Sequence, residues 1–160
     1  MSDPNPLAEF IESVRTVFEH RDNSVSEKRH ESENVDRIQA IYRAAKEGEI
    51  GQFKKHFDDD VVILIVGAPG IRFKRAASGV DSAVALVAGN FSMLEYQFPD
   101  LVSIVAQGDI VYLRGRETGR FKGADSDYQL NWVQEYTFKN GKVISFVQFL
   151  DDAELLPPLP

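Results

Sequence analysis

The chain has 160 residues, 43% of them hydrophobic and 27% charged, with a formal net charge of −7. That size and balance suit one soluble globular domain with a sizeable core, and the acidic excess argues against a nucleic-acid partner, whose binder carries a basic face. The absence of cysteine excludes disulfides, thiolate nucleophiles and cysteine-ligated metals, and leaves the redox compartment open.

No apolar run reaches the ~18 residues that span a bilayer. The opening MSDPNPLAEF lacks a basic segment followed by an apolar core, so no membrane partner and no signal peptide are expected, and the cytoplasm is the expected location. Asn5 and Pro6 can start a helix. Leu7, Phe10, Ile11, Val14, Val17 and Phe18 then follow helical spacing, which reads as a helix packed on the outside of the domain. Arg21 to Glu33 is polar and charged and reads as a linker running into a helix; Ser24 and Glu27 fit a capping box. Val35, Ile38, Ile41, Tyr42 and Ala45 form the next helical stripe, stopped at Gly48. A short helix follows from Ile50 to Phe57, and Asp58, Asp59 and Asp60 read as a solvated turn.

Val61 to Val66 is a continuous β-branched run, expected as a strand buried on both faces or nearly so. Gly67 to Gly70 turns the chain, and Arg72, Lys74 and Arg75 mark an exposed loop or edge strand. Ser78-Gly79-Val80-Asp81 resembles a capping box. It opens a helix whose buried side holds Val80, Val84, Leu86, Val87 and Phe91, with Leu94 as a further candidate, and which fades near Gly89 to Ser92. Met93 to Phe98 and Leu101 to Ala106 read as one strand interrupted at Pro99-Asp100. Gln107-Gly108-Asp109 is a hairpin turn, Ile110 to Arg116 the next strand, continuing past Glu117, and Gly119 to Asp127 a polar connection.

The closing stretch, Tyr128 to Asp152, carries two strands around Lys139-Asn140-Gly141-Lys142. Asn-Gly signals a two-residue type I′ turn, because both central residues need positive φ. Leu130, Trp132, Gln134, Tyr136 and Phe138 share one face by the period of two. That face is expected to be buried. Gln134 then sits on an apolar face, where an amide needs partners. Either Gln148 of the partner strand satisfies it or both face a ligand. The order of elements is that of an α+β domain: helices on one face of a curved antiparallel sheet.

Several segments resemble SnoaL-like domains of the nuclear transport factor 2-like superfamily, the cystatin-like cone fold that includes ketosteroid isomerases. They are Tyr42 to Val61, Gly79 to Val84, Val105 to Val111, and Asn140 to Val143 with Phe146, Phe149 and Asp151. The resemblance implies a sheet wrapped around three helices over residues 34–152. Residues 1–33 would then be an N-terminal helical extension and linker, and residues 153–160 a tail. It also implies a homodimer through the outer sheet face, an apolar pocket for a small hydrophobic molecule, and acid–base isomerase, dehydratase or cyclase chemistry. The other reading is a non-catalytic binding or dimerisation module with a filled core.

The resemblance carries over only in part. Ketosteroid-isomerase-like members place a base on the first strand, where this chain has Ile63 to Val66 and no acid. Their oxyanion-stabilising acid falls on Gln134, and their tyrosine of the first helix falls near Tyr42. The ligand-facing set implied for this chain is Tyr42, Trp132, Gln134, Tyr136, Phe146, Gln148 and Leu150.

The sequence itself offers Glu117 as the acid on the sheet, inward if Val111, Leu113 and Gly115 are inward. It reads either as a base with a raised pKa in an apolar cone or as a rim residue paired with Arg116, Arg120 or water. His20, His30 and His56 show no metal-ligand spacing, and no phosphate-binding or dinucleotide glycine motif occurs. No metal and no cofactor are expected.

Overall fold

The computed structural model describes residues 25–67 and 72–151. In chain order these form α1 (Val25–Glu47), α2 (Ile50–Lys55), β1 (Phe57–Val66), β2 (Ala76–Ser78), α3 (Val80–Ser92), β3 (Leu94–Gln107), β4 (Ile110–Phe121), β5 (Tyr128–Lys139) and β6 (Lys142–Asp151). The helix expected over Asn5 to Phe18 and the tail beyond Asp151 lie outside the described residues.

The charged stretch expected as a linker is helical from Val25 onward. Polar contacts rather than an apolar stripe dock it on the β3–β4 turn. His30 Nε2 lies 2.6 Å from Asp109 Oδ1, and the Gly108 N–H donates to Glu31 Oε1 at 2.9 Å. Asn34, fully buried, donates to the Gly108 carbonyl at 3.4 Å and accepts from Arg37 at 3.0 Å. Further along α1, Ile38, Ile41 and Ala44 turn into the core. The helix stops at Gly48, whose φ of 70° is the left-handed conformation that glycine adopts without strain.

α2 ends earlier than expected. Phe57 begins β1, and Asp58 to Asp60 lie in that strand rather than in a turn. The Asp60 N–H bonds the Asp58 side chain at 3.1 Å. Val61, Ile63 and Ile65 are buried while Val62, Leu64 and Val66 are exposed. β1 is thus covered on one face only, because the helices occupy one side of the sheet. α3 is capped without a side-chain bond. Asp81, expected to close a capping box, pairs with Lys54 of α2 instead, and Phe91 is exposed.

The sheet runs β2-β1-β6-β5-β4-β3 and is curved and unclosed. Every pairing is antiparallel except β1 with β6. The strands from β3 to β6 form a meander, and β1, which precedes it through the α3 crossover, joins its far edge in parallel. β3 continues through Pro99-Asp100 without interruption. As the edge strand it needs no N–H from Pro99 on its open side. Asn140 and Gly141 have φ of 52° and 76°, as a type I′ turn requires. Helices α1, α2 and α3 bury Ile38, Ile41, Phe53, Ala83 and Leu86 against the inner row of the sheet, which includes Val111, Leu113, Leu130, Trp132, Tyr136, Phe138 and Val143.

Candidate functional site

Two polar clusters interrupt that apolar inner face. The first is built on Gln134, in the middle of β5. Its register partners are Leu113 on β4 and Gln148 on β6. Gln134 Nε2 donates to Gln148 Oε1 at 3.3 Å, so the two glutamines do bond across adjacent strands. Gln134 Oε1 accepts two hydroxyls, from Tyr42 of α1 and from Tyr136 on its own strand, the latter at 3.3 Å. An amide oxygen has two acceptor sites, and both are filled. Burial pushes the Tyr42 hydroxyl up to about 12 and raises Tyr136 well above the ordinary tyrosine value. Both therefore remain donors at neutral pH. Phe146 packs edge-on against Tyr136 with ring centroids 4.8 Å apart. Leu150 is half-buried against the same core and is the register partner of Trp132.

The second cluster is built on Glu117 of β4, which is 8% exposed. Alternation along β4 turns Val111, Leu113, Gly115, Glu117, Gly119 and Phe121 inward. Glu117 does not pair with Arg116 or Arg120. Arg116 bonds Asp100, and Arg120 bonds Asp127. Glu117 Oε1 instead accepts the Tyr128 hydroxyl at 2.9 Å, and Oε2 accepts Gln97 Nε2 at 2.7 Å. Burial raises its pKa, and the two neutral donors pull it partly back. The charge of Glu117 also contributes to the rise at Tyr42, which places the two clusters within electrostatic reach of each other.

Glycines shape the wall around Glu117. Gly115 is the register partner of Trp132, and Gly119 of Tyr128. A Cβ at Gly115 would lie 2.1 Å from the Trp132 ring, and one at Gly119 would lie 2.4 Å from the Tyr128 hydroxyl. The large rings of β5 thus lie across the bare backbone of β4 on either side of Glu117.

Tyr128 and Gln97 are absent from the set expected from the sequence. The legible signal for Tyr128 was Gly115-x-Glu117-x-Gly119. Two glycines on one face of a strand leave space that the neighbouring strand's aromatics fill. Gln97 had no comparable signal.

The opposite face of the sheet carries a groove of about 430 Å³ lined by Phe98, Asp100, Arg116, Thr118, Asn131 and Asp151 among others. Apart from Glu117, none of the residues expected to face a ligand borders it. Among the described residues no group of His, Asp and Glu is arranged to hold a metal ion, and no helix is long and apolar enough to cross a membrane.

The model of the SnoaL-like domain family matches residues 38–146, and no curated protein matches the chain. Solved structures share its fold. One, assigned as a SnoaL-like polyketide cyclase from Jannaschia sp. CCS1, superposes with a TM-score of 0.69 at 20% identity, covering 86% of this chain and 99% of its own. A nuclear transport factor 2-like protein from Burkholderia xenovorans LB400 gives 0.64 at 23% identity, covering 75% and 90%. An epoxide hydrolase from M. tuberculosis gives 0.60 at 14% identity, covering 75% and 84%.

Proposed function

This chain belongs to the SnoaL-like domain family, and we propose that it performs acid–base chemistry on a small hydrophobic molecule held against the inner sheet face, with Glu117 as the proton-transfer group. The observation that carries this reading is the Glu117 carboxyl group: buried, raised in pKa, and, among the described residues, bonded only by neutral donors. A carboxyl group in that state exchanges protons nearer neutrality than an exposed one. Solved neighbours that include a polyketide cyclase and an epoxide hydrolase support a catalytic use of the fold without specifying this reaction.

In the proposed reaction Glu117 removes a proton from carbon next to a carbonyl group, and Tyr42 donates a hydrogen bond to the oxygen where charge develops. Tyr42 is suited to this because Gln134 Oε1 keeps the Tyr136 hydroxyl when Tyr42 turns to a ligand. Trp132, Tyr136, Phe146 and Leu150 supply apolar contact, and Gln148 holds Gln134. Isomerisation, dehydration and cyclisation all begin with such a step.

The test is hydrogen–deuterium exchange at carbon, followed by NMR over a panel of apolar ketones. The wild-type protein should catalyse exchange, and Glu117→Gln should not while keeping its fold. Equal exchange by both proteins would reject Glu117 as the base.

A second reading, a non-catalytic module that dimerises with a filled core, is favoured by one observation. The outer sheet face exposes Val62, Leu64 and Val66 of β1, Tyr112 of β4, Val133 of β5 and Phe149 of β6. In register Val66, Phe149 and Val133 form one row across β1, β6 and β5, and Leu64 and Tyr112 end a second row that runs through Val147 and Glu135, an area suited to a second copy of the chain. Val133→Glu should convert a dimer to a monomer by light scattering. A monomeric wild-type protein would remove the homodimer from either reading.

A further inference from the structure

We propose that Tyr128 and Gln97 are positioning residues that clamp the Glu117 carboxyl group in one orientation, and that residue 119 is glycine because a side chain there would displace the clamp. The proposal rests on the reading of Glu117 as the acid–base group.

The two donors come from opposite sides. Tyr128 lies on β5 and Gln97 on β3, the strands flanking β4, and each bonds a different carboxyl oxygen, at 2.9 and 2.7 Å. A carboxyl group fixed through both oxygens has no rotational freedom left, while each oxygen keeps one lone-pair direction for a ligand. Both donors are neutral. An arginine in either place would hold the carboxylate's proton affinity down and weaken it as a base. An amide and a phenol orient it at a smaller cost in basicity.

Among the described residues the charged groups nearby are Asp100, Arg116 and Asp151, which line the groove that Glu117 borders. Leu130 of β5 and Pro99 of β3 are the register partners of Glu117, and Gly115 and Gly119 flank it on its own strand. From α1, Tyr42 lies within range of its charge. Arg116 and Arg120 are engaged with Asp100 and Asp127 at the surface.

Gly119 supplies the independent observation. Its φ is not positive, so the backbone does not require glycine there. A Cβ at this position would stand 2.4 Å from the Tyr128 hydroxyl oxygen and 2.6 Å from the ring carbon that bears it. Normal carbon contacts are about 3.5–4.0 Å, so any larger residue moves the hydroxyl off Glu117. Space for the clamp accounts for the glycine.

The experiment follows the Glu117 carboxyl resonance by carbon-13 NMR across a pH series, in protein labelled at glutamate side-chain carboxyls. The signal is assigned by its loss in Glu117→Gln. No substrate is needed. Removing a donor to the ionised form should move the titration of Glu117 to higher pH in Tyr128→Phe and in Gln97→Met, and Gly119→Ala should reproduce Tyr128→Phe. Gln97 is half-buried on the edge strand, so its variant preserves the test if substitution at 128 or 119 prevents folding. A purely structural role would lower the melting temperature and leave the titration in place. An unmoved titration in Gln97→Met and in whichever of the other variants folds overturns the clamp. Exchange activity retained by Glu117→Gln is a separate result that overturns the acid–base reading.

Discussion

Gly115→Ala adds one methyl group to the inner face, and the structure sets what that methyl group meets. The new Cβ would lie 2.1, 2.4 and 2.5 Å from three atoms of the Trp132 ring. Restoring contact to about 3.5 Å requires the ring or the strand to move by roughly 1.5 Å. Trp132 is only 3% exposed, and its partners Leu150 and Gly115 hold it from the adjacent strands. A rigid indole ring cannot yield as a flexible side chain does. Overpacking of a well-packed core costs about 1–3 kcal/mol, and this contact belongs at the upper end. For a chain of this size each kcal/mol lowers the melting temperature by roughly 2–4 °C, so a fall of about 6–12 °C is expected by calorimetry. The chain has one tryptophan, so its emission maximum reports the same displacement directly and should shift to the red. Gly51→Ala is the control. It lies in α2 with nothing within 4 Å of the added Cβ, and should be neutral or stabilising by up to about 1 kcal/mol. A Gly115→Ala protein with unchanged melting temperature and unchanged emission would refute the packing account of the inner wall.

Four other substitutions separate the two polar clusters and the helix latch. Glu117→Gln should alter the pH dependence of stability. The folded carboxyl titrates above its ordinary value. Between the two values the native state keeps a proton that the unfolded chain has released, so wild-type stability falls as pH rises through that window. The variant lacks this slope, and denaturant midpoints for the two proteins at several pH values should converge in acid and separate toward neutrality; parallel curves would contradict the buried site. Tyr42→Phe should cost less stability than Gln134→Leu. The former leaves Gln134 Oε1 with the Tyr136 hydroxyl, whereas the latter strips partners from Tyr42, Tyr136 and Gln148 together; equal urea midpoints would show that the network is not connected as described. Asn34→Leu should lower stability by about 1–3 kcal/mol in urea unfolding, because the buried amide is the shared partner of Gly108 and Arg37. A loss below about 0.5 kcal/mol would show that the start of α1 is held by something else.

What could be read from the sequence followed the strength of local patterning. The closing hairpin was legible because Asn140-Gly141 specifies a turn and the period of two specifies its faces. The bond between Gln134 and Gln148 was one of the two alternatives that this register left open. The inward position of Glu117 followed from the same alternation, whereas its partners did not. Arg116 and Arg120 are close to it in sequence, yet the pleat sends Arg116 to the other face, and Asp127 takes Arg120. Gln97 meets Glu117 through a pairing between strands that one-dimensional spacing does not encode, and Tyr128 is signalled only by the glycines on either side of Glu117.

Other expectations failed where tertiary contact outweighs composition. The charged stretch before Asn34 has no apolar stripe, so it resembled a linker. It is helical because Glu31, His30 and Asn34 find the β3–β4 turn. Pro99 suggested an interrupted strand because its N–H is missing, but an edge strand leaves alternate N–H groups unpaired anyway. Val61 to Val66 looked doubly buried because β-branched residues fill both faces, and here the second face is open.

The glycines that make room for the site also fix the register of β4 against β5. A slip of two residues keeps the inward faces inward, so burial alone does not forbid it. It would, however, set Trp132 opposite Leu113 or Glu117, and Tyr128 opposite Glu117 or Phe121, in place of Gly115 and Gly119. Two bulky side chains would then share a space that now holds one ring over bare backbone, at the cost that overpacking imposes. Only the native register seats both rings at once. The same pairing brings the Tyr128 hydroxyl to Glu117, so the alignment that packs the core also assembles the candidate site. No separate selection of site geometry is needed once Gly115 and Gly119 are in place. A side chain at either glycine disturbs packing and site together, whereas Gln97→Met on the edge strand perturbs Glu117 with little effect on the core.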